Sequence, residues 1–244
     1  MKKLSAFLFI ALISIGSVAQ AECVILLHGL ARSERSMKKI EKRLKKMDYK
    51  VVNASYPSRN YSIRALAKLA IEPALKICPR YTKVNFVTHS LGGILVRQYL
   101  ADHVIEDLNR VVMLGPPNKG SEVVDKLGKF PGFKLINGDA GRQLGTGHLS
   151  VPNRLGDANF DLGVIAGSKS INLILSSIIS GEDDGKVAVS NTKIDGMKDH
   201  VVMPVSHTFM MTDKDVINQV VYYLKNGQFS KGIPQKKRER KTPH

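Results

Sequence analysis

The sequence predicts an α/β protein: a mostly parallel sheet with helices on both faces and a small insertion over the candidate site. Three observations carry this reading. Short, continuous apolar runs alternate with longer stretches whose apolar residues recur at helical spacing, the pattern of strands joined by crossover helices. The runs Cys23-Val24-Ile25-Leu26-Leu27 and Arg110-Val111-Val112-Met113-Leu114 are apolar at nearly every position, as strands covered on both faces require. Chemically capable side chains (His28, Ser90, Asp184 and His207) all fall just after predicted strands, where ligands gather in such sheets.

Cys23–Leu27 is the first strand and stops at His28-Gly29-Leu30. Met37, Ile40, Leu44 and Met47 then form one face of an amphipathic helix whose other face is lysine-rich, a solvated surface. Val51–Tyr56 reads as the second strand, closed by Pro57. Tyr61 to Ile77 is helical, with Ile63, Leu66, Leu69 and Ala70 periodic and Pro73 expected to bend it. The third strand, from Val84, and the helix from Leu91 enclose Ser90; the fourth strand is Arg110–Gly115. From Pro116 to Asn159 the chain is rich in Gly, Pro and Asn, which reads as an insertion over the site rather than a second domain. Asp161–Gly167 is the next strand, and the acidic loop Gly181–Gly185 leads into the apolar Val187-Ala188-Val189. Val201–Val205 reads as the last strand, with Ser206-His207 directly behind it. The last helix, Asp213 to Lys225, ends at Asn226-Gly227, where glycine suits the position after a helix.

The totals bound the class. The chain has 244 residues, 43% hydrophobic and 24% charged, as an ordinary globular domain does. Met1-Lys2-Lys3, an apolar run from Leu4 to Val18 and Ala19-Gln20-Ala21 have the form of a secretory signal peptide. The run is shorter than the roughly 20 apolar residues a membrane anchor needs, and Glu22 before Cys23 argues against a lipid anchor. Cleavage after Ala21 would leave 223 of the 244 residues, one domain over 22–230 plus a basic tail over 231–244. The product is therefore expected to be exported, periplasmic or secreted. The formal charge is +16; without Lys2 and Lys3 it is +14. The tail holds Lys231, Lys236, Lys237, Arg238, Arg240 and Lys241 against Glu239, which is +5, so the body is near +9. Outside the cell such a charge does not indicate nucleic acid as a partner. It suits attraction to an anionic membrane surface, or simply a solvated basic exterior.

Val84-Asn85-Phe86-Val87-Thr88-His89-Ser90-Leu91-Gly92-Gly93 is the stretch that carries the chemistry: strand, sharp turn, helix, with Ser90 at the tip. A serine held above the sheet forces the chain back on itself, so the residue two further on must be small, and Gly92 is. The N–H of Leu91 then lies at a helix N-terminus, where it can face a developing oxyanion. Thr88 stands where this pattern normally has glycine.

Serine needs a base, and the base needs an acid that fixes its tautomer. After a serine elbow, acid and base follow in chain order. His28, His89 and His103 precede the serine or lie too near it, His148 is in the insertion and His244 in the tail. His200 and His207 remain. His207 sits between the last strand and the last helix, where the base belongs; His200 falls in a polar run before that strand and reads as a surface residue. Asp184, before Gly185, is the favoured acid, and Asp183 its rival, because adjacent side chains point differently. The N–H of Leu30, behind Gly29, is the second candidate oxyanion donor, and His28 is assigned to holding that loop.

Taken together, Leu27-His28-Gly29-Leu30, Thr88-His89-Ser90-Leu91-Gly92-Gly93, Gly115-Pro116-Pro117-Asn118-Lys119-Gly120-Ser121, Asp184-Gly185 and His207 resemble the α/β-hydrolase superfamily. The likeness is to the bacterial lipase and esterase group with a His-Gly oxyanion loop, and it extends over most of the chain after residue 21. It implies hydrolysis of carboxylic esters, often of lipids, with no catalytic metal and no cofactor. The same triad serves acyltransferases and thioesterases; a non-catalytic binding protein of this fold is the alternative from another class, disfavoured because no triad member is missing. The resemblance also places the first strand beside the elbow strand. Cys23 would then approach Cys78 at the sheet edge opposite the site, and a structural disulfide is expected between them.

Overall fold

A computed structural model describes residues 21–232 of the chain. The signal peptide expected over 1–21, its last residue apart, and the basic tail beyond Gly232 lie outside the described residues. In chain order the elements are β1 (Cys23–Leu27), a 3-10 turn (Glu34–Met37) running into α1 (Lys38–Lys45), β2 (Lys50–Ala54), α2 (Ile63–Ile77), β3 (Val84–His89), α3 (Leu91–Asp102) and β4 (Leu108–Leu114). They continue as α4 (Glu122–Leu127), α5 (Pro131–Arg142), α6 (Val151–Arg154), β5 (Leu162–Gly167), α7 (Leu173–Ser176), α8 (Val189–Thr192), β6 (Asp199–Met203), a 3-10 turn (Met210–Thr212) and α9 (Lys214–Asn226).

The strands form one parallel sheet in the order β2-β1-β3-β4-β5-β6. Side chains alternate between its faces, so each strand feeds two cores. Cys23, Ile25, Leu27 and Phe86 pack on one face with α2 and α3. Val24, Leu26, Val87 and Val112 pack on the other with α1 and α9. All five residues of β1 are fully buried, which is why that strand has no polar position. Ser62 caps α2 by accepting from the amide of Ala65, and Asp213 caps α9 by accepting from those of Asp215 and Val216. Gly227 ends α9 in the left-handed conformation (φ 69°). Pro73 lies inside α2, which runs on through it to Ile77.

Two expectations are corrected. The last strand is Asp199–Met203, not Val201–Val205, so His200 belongs to it rather than to a surface run. Among the described residues β6 pairs only with β5, and it is half-buried over four of its five residues, a setting that accepts polar side chains. His200 is half-buried, and its Nε2 lies 3.0 Å from Thr192 Oγ1. Asp184 does not directly follow a strand either. It lies well beyond β5 and past α7, and Val189–Thr192 is a short helix.

Residues 116–159 carry α4, α5 and α6. Their root is held by Arg97 of α3, which is 5% exposed. Its guanidinium donates to the carbonyl oxygens of Asn118 (2.9 Å), Pro152 (3.0 Å) and Gly156 (2.7 Å). Burial pushes its pKa down to about 10, so it stays charged at neutral pH, and these oxygens replace its hydration shell. At its far end α5 reaches the loops after β1 and β2: Gly141 packs against the Leu30 side chain, and the amide of Ile63 donates to Gln143 Oε1.

The disulfide between Cys23 and Cys78 is present, with Cα atoms 5.7 Å apart, joining the start of β1 to the end of α2. Its sequence separation of 55 corresponds to about 4 kcal/mol of loop-closure entropy. Titration of the unfolded, unreduced protein should accordingly find no free thiol. Reduction should lower the denaturation midpoint while leaving native-state activity intact, because the bond lies at the strand end opposite the candidate site. Two free thiols would overturn the pairing.

Candidate active site

Ser90 occupies the turn between β3 and α3 at φ 52°, ψ −119°, a conformation that costs a non-glycine residue about 1–3 kcal/mol. The neighbouring backbone enforces it. The Ser90 amide donates to Leu114 O at 2.9 Å and its carbonyl accepts from Gly93 N at 3.0 Å. Gly92 meets the crowding expected of it: a Cβ there would lie 2.7 Å from Leu27 O. Thr88, at the departure from the usual pattern, is fully buried in register opposite Leu27 and Met113, and its hydroxyl has no partner among the described residues.

The loops that carry Asp184 and His207 meet at the same end of the sheet. His207 Nδ1 lies 2.7 Å from Asp184 Oδ2, with both residues buried. A carboxylate can only accept, so Nδ1 is the donor, and in the neutral tautomer this leaves the lone pair on Nε2. The other oxygen, Asp184 Oδ1, accepts from the amides of Lys186 (3.0 Å) and Val187 (2.9 Å), and Asp184 O accepts from His207 N at 2.9 Å. The carboxylate is therefore fixed from three sides. Asp183 faces elsewhere: its Oδ1 accepts from Ser176 Oγ (2.8 Å) and Gly185 N (2.6 Å), which ties α7 to the loop. Of the two adjacent carboxylates, Asp184 is the one the fold brings to His207. Ser90 Oγ makes no hydrogen bond among the described residues; in serine sites that contact often tightens only when substrate is bound.

Gly29 abuts this turn. A Cβ on it would lie 2.7 Å from His89 Nδ1 and 3.2 Å from Ser90 Cβ, so only glycine lets the loop after β1 approach the serine. The Gly29 carbonyl accepts from His28 Nδ1 (2.9 Å) and Arg32 N (3.3 Å). In a planar trans peptide this turns the Leu30 N–H the opposite way. Leu91 is the first residue of α3, and its N–H has no acceptor within the helix. His28 is fully buried and stacked on Tyr56, with ring centroids 4.0 Å apart, and the Tyr56 hydroxyl donates to its carbonyl. Burial holds its pKa below the usual value, consistent with a neutral ring that supports the loop.

His89, set aside in the sequence for its closeness to the serine, joins the parts. Its Nε2 lies 3.0 Å from His207 O and must donate, since a carbonyl cannot. Its ring is 4.7 Å from that of His207, and its Nδ1 edge faces Gly29. Burial first, and the neighbouring His207 second, hold its pKa well below the ordinary value, so the ring is a neutral strut. Strand alternation puts His89 on the face of Val87; that alone does not reveal its partner.

Gly115, at the end of β4, was quoted in the sequence only as part of a motif. Its φ is +54°, and a Cβ there would lie 2.9 Å from Asp184 Oδ2 and 3.1 Å from His207 Nδ1. Gly115→Ala should lower kcat by about 10² by displacing the pair. The unfolding free energy should fall by about 1 kcal/mol or somewhat more. Kinetics alongside thermal unfolding check this, and an unchanged kcat would contradict the packing. Among the described residues no group of three or more His, Cys, Asp or Glu side chains is arranged to hold a metal ion.

No protein-family model matches the chain, and no curated protein matches it in sequence. Solved structures do match in fold. The mature form of the lipase BlEst2 from Bacillus licheniformis superposes with a TM-score of 0.64 at 18% identity, over 87% of this chain and 94% of that one. The phospholipase PlaB from Legionella pneumophila gives 0.56 at 20% identity, over 71% of this chain and 46% of that one. The metagenomic carboxyl esterase MGS0156 gives 0.52 at 16% identity, over 78% and 65%. The chain has the α/β-hydrolase fold.

Proposed function

We propose that the protein is an exported serine hydrolase of carboxylic esters, a lipase or esterase, with Ser90 as nucleophile, His207 as base and Asp184 as the acid that orients it. One observation carries this reading: a serine held in a strained turn at the same strand ends as a buried carboxylate–imidazole pair 2.7 Å apart. The ester-hydrolase names of the structural neighbours support the same chemistry, and the N-terminal sequence supports export.

The geometry translates into steps. Ser90 Oγ attacks the acyl carbonyl as its proton passes to His207 Nε2, and the Asp184 carboxylate stabilises the imidazolium that forms. The N–H groups of Leu30 and Leu91 receive the negative charge on the carbonyl oxygen. The imidazolium returns its proton to the departing alcohol, leaving Ser90 acylated. Water, deprotonated by the same imidazole, then releases the acid and restores the serine. A panel of acyl esters of increasing chain length, with and without an added alcohol as competing acceptor, tests the reading and separates hydrolysis from acyl transfer. Failure to cleave any member, together with no labelling by a fluorophosphonate probe, would overturn it.

A further inference from the structure

Three consecutive peptides surround the Leu30 N–H, and each of them is held. The Gly29–Leu30 peptide, which carries that N–H, is held locally: its oxygen accepts from Arg32 N and His28 Nδ1. Those bonds lie within residues 28–32, so they fix the shape of the loop but not its place over the sheet. The peptides on either side are held from outside. The His28 oxygen accepts from the Tyr56 hydroxyl, and the Ala31 N–H donates to Ser58 Oγ at 3.1 Å. Both partners come from one short segment behind β2, a strand that runs beside β1 with Ala54 in register with Leu27.

That segment is fixed in turn. Ser58 N donates to Tyr56 O (2.9 Å) and Asn60 N to Pro57 O (3.0 Å), and the Tyr56 and Ser58 side chains are buried. Burial raises the Tyr56 pKa, so its hydroxyl keeps the proton that it donates. Its ring stacks on His28, whose Nε2 has no partner among the described residues, so the stack seats the far side of that ring. The kink of α5 closes on the segment as well: a Cβ on Gly138 would collide with the Arg59 carbonyl. Ala31 shows what the clamp enforces, since it sits at φ 53°, in the left-handed region that a residue with a side chain rarely adopts.

We propose that Tyr56 and Ser58 are positioning residues of the reaction: through the His28 carbonyl and the Ala31 amide they aim the Leu30 N–H at the oxygen of the attacked carbonyl. The role rests on the ester-hydrolase reading proposed above. It acts on charge that exists only once Ser90 Oγ has bonded to the carbonyl carbon. The serine proton has then passed to His207 Nε2, and the C=O electron pair has moved onto oxygen. Loosening the clamp therefore weakens transition-state binding and leaves substrate binding alone.

The test compares the full chain with Tyr56→Phe, which keeps the stacked ring, with Ser58→Ala, and with the two together. On a water-soluble short-chain ester each single variant should lower kcat about tenfold, with KM within about twofold. The double variant should lose about 10²-fold, toward the limit set by loss of one oxyanion donor. A trifluoromethyl ketone forms the same adduct with Ser90 and stops there. Its inhibition constant should rise by the factor by which kcat/KM falls. Exhaustive fluorophosphonate labelling should still reach one group per chain, which a loss of folded protein would not allow. A fall in kcat without the matching rise in the inhibition constant would overturn the proposal, as would one accounted for by fewer labelled sites. So would a rise in KM alone, which would make the clamp part of substrate binding. If the parent cleaves ester and both single variants match its kcat, the positioning role falls and the ester-hydrolase reading stands. If the parent neither cleaves ester nor takes the label, that reading falls and the positioning role falls with it.

Discussion

Ser90→Ala is expected to lower kcat on a chromogenic ester by on the order of 10⁴–10⁶ while leaving the fold unchanged. The asymmetry comes from the setting of the hydroxyl. It makes no hydrogen bond among the described residues, so its removal should change stability by no more than about 0.5 kcal/mol. The strained turn remains, because it is imposed by the backbone bonds to Leu114 and Gly93 and by the room left at Gly92. Fluorophosphonate labelling should vanish with the activity, and the thermal midpoint should stay where it was. A purified variant that kept more than about 1% of parental turnover would remove Ser90 from the mechanism.

The second large effect separates adjacent residues. Asp184→Asn keeps the shape of the side chain but can set an amide N–H against His207 Nδ1. The imidazole must then present a lone pair there and protonate Nε2, the wrong tautomer for accepting the serine proton. A fall in kcat of about 10⁴ is expected. Asp183→Asn should leave kcat within a few-fold, because its carbonyl oxygen can still accept from Ser176 and Gly185. His207→Ala should be as damaging as Ser90→Ala, whereas His200→Ala should lose only the contact with Thr192, about 1 kcal/mol of stability. Steady-state kinetics on the four purified variants decide it. Large losses from Asp183→Asn with little from Asp184→Asn would move the acid by one residue.

How far the sequence revealed this arrangement depended on how local each determinant was. β1 was legible residue by residue, because a strand buried on both faces admits only apolar side chains. The elbow was legible because its crowding demands glycine at 92. β6 was read two residues late, since an edge strand tolerates Asp199 and His200 and blurs the apolar signal. The sequence favoured Asp184 over Asp183 but could not decide between them: the choice depends on how the loop turns each carboxylate, one toward Ser176 and the other toward His207. The hydrogen bond from His89 to the His207 carbonyl was hidden for a related reason, as it links positions 118 apart in sequence. Gly115 looked like one motif glycine among several until Asp184 and His207 were found packed against its Cα.

Arg97 has a consequence for how this protein could diversify. It grips both roots of the 116–159 excursion, at Asn118 on one side and at Pro152 and Gly156 on the other, from the helix that begins directly after Ser90. The stretch between those anchor points has its ends fixed by one side chain, although Ser121 and Glu122 also bond to the segment around Asp184, at Lys186 and Ser180. A change of length in the turns between α4, α5 and α6 leaves both anchor points where they are. Loop closure adds only about 0.6 kcal/mol for each doubling of length. Insertions and deletions in those turns are therefore the cheap changes, whereas loss of Arg97 would release both roots at once.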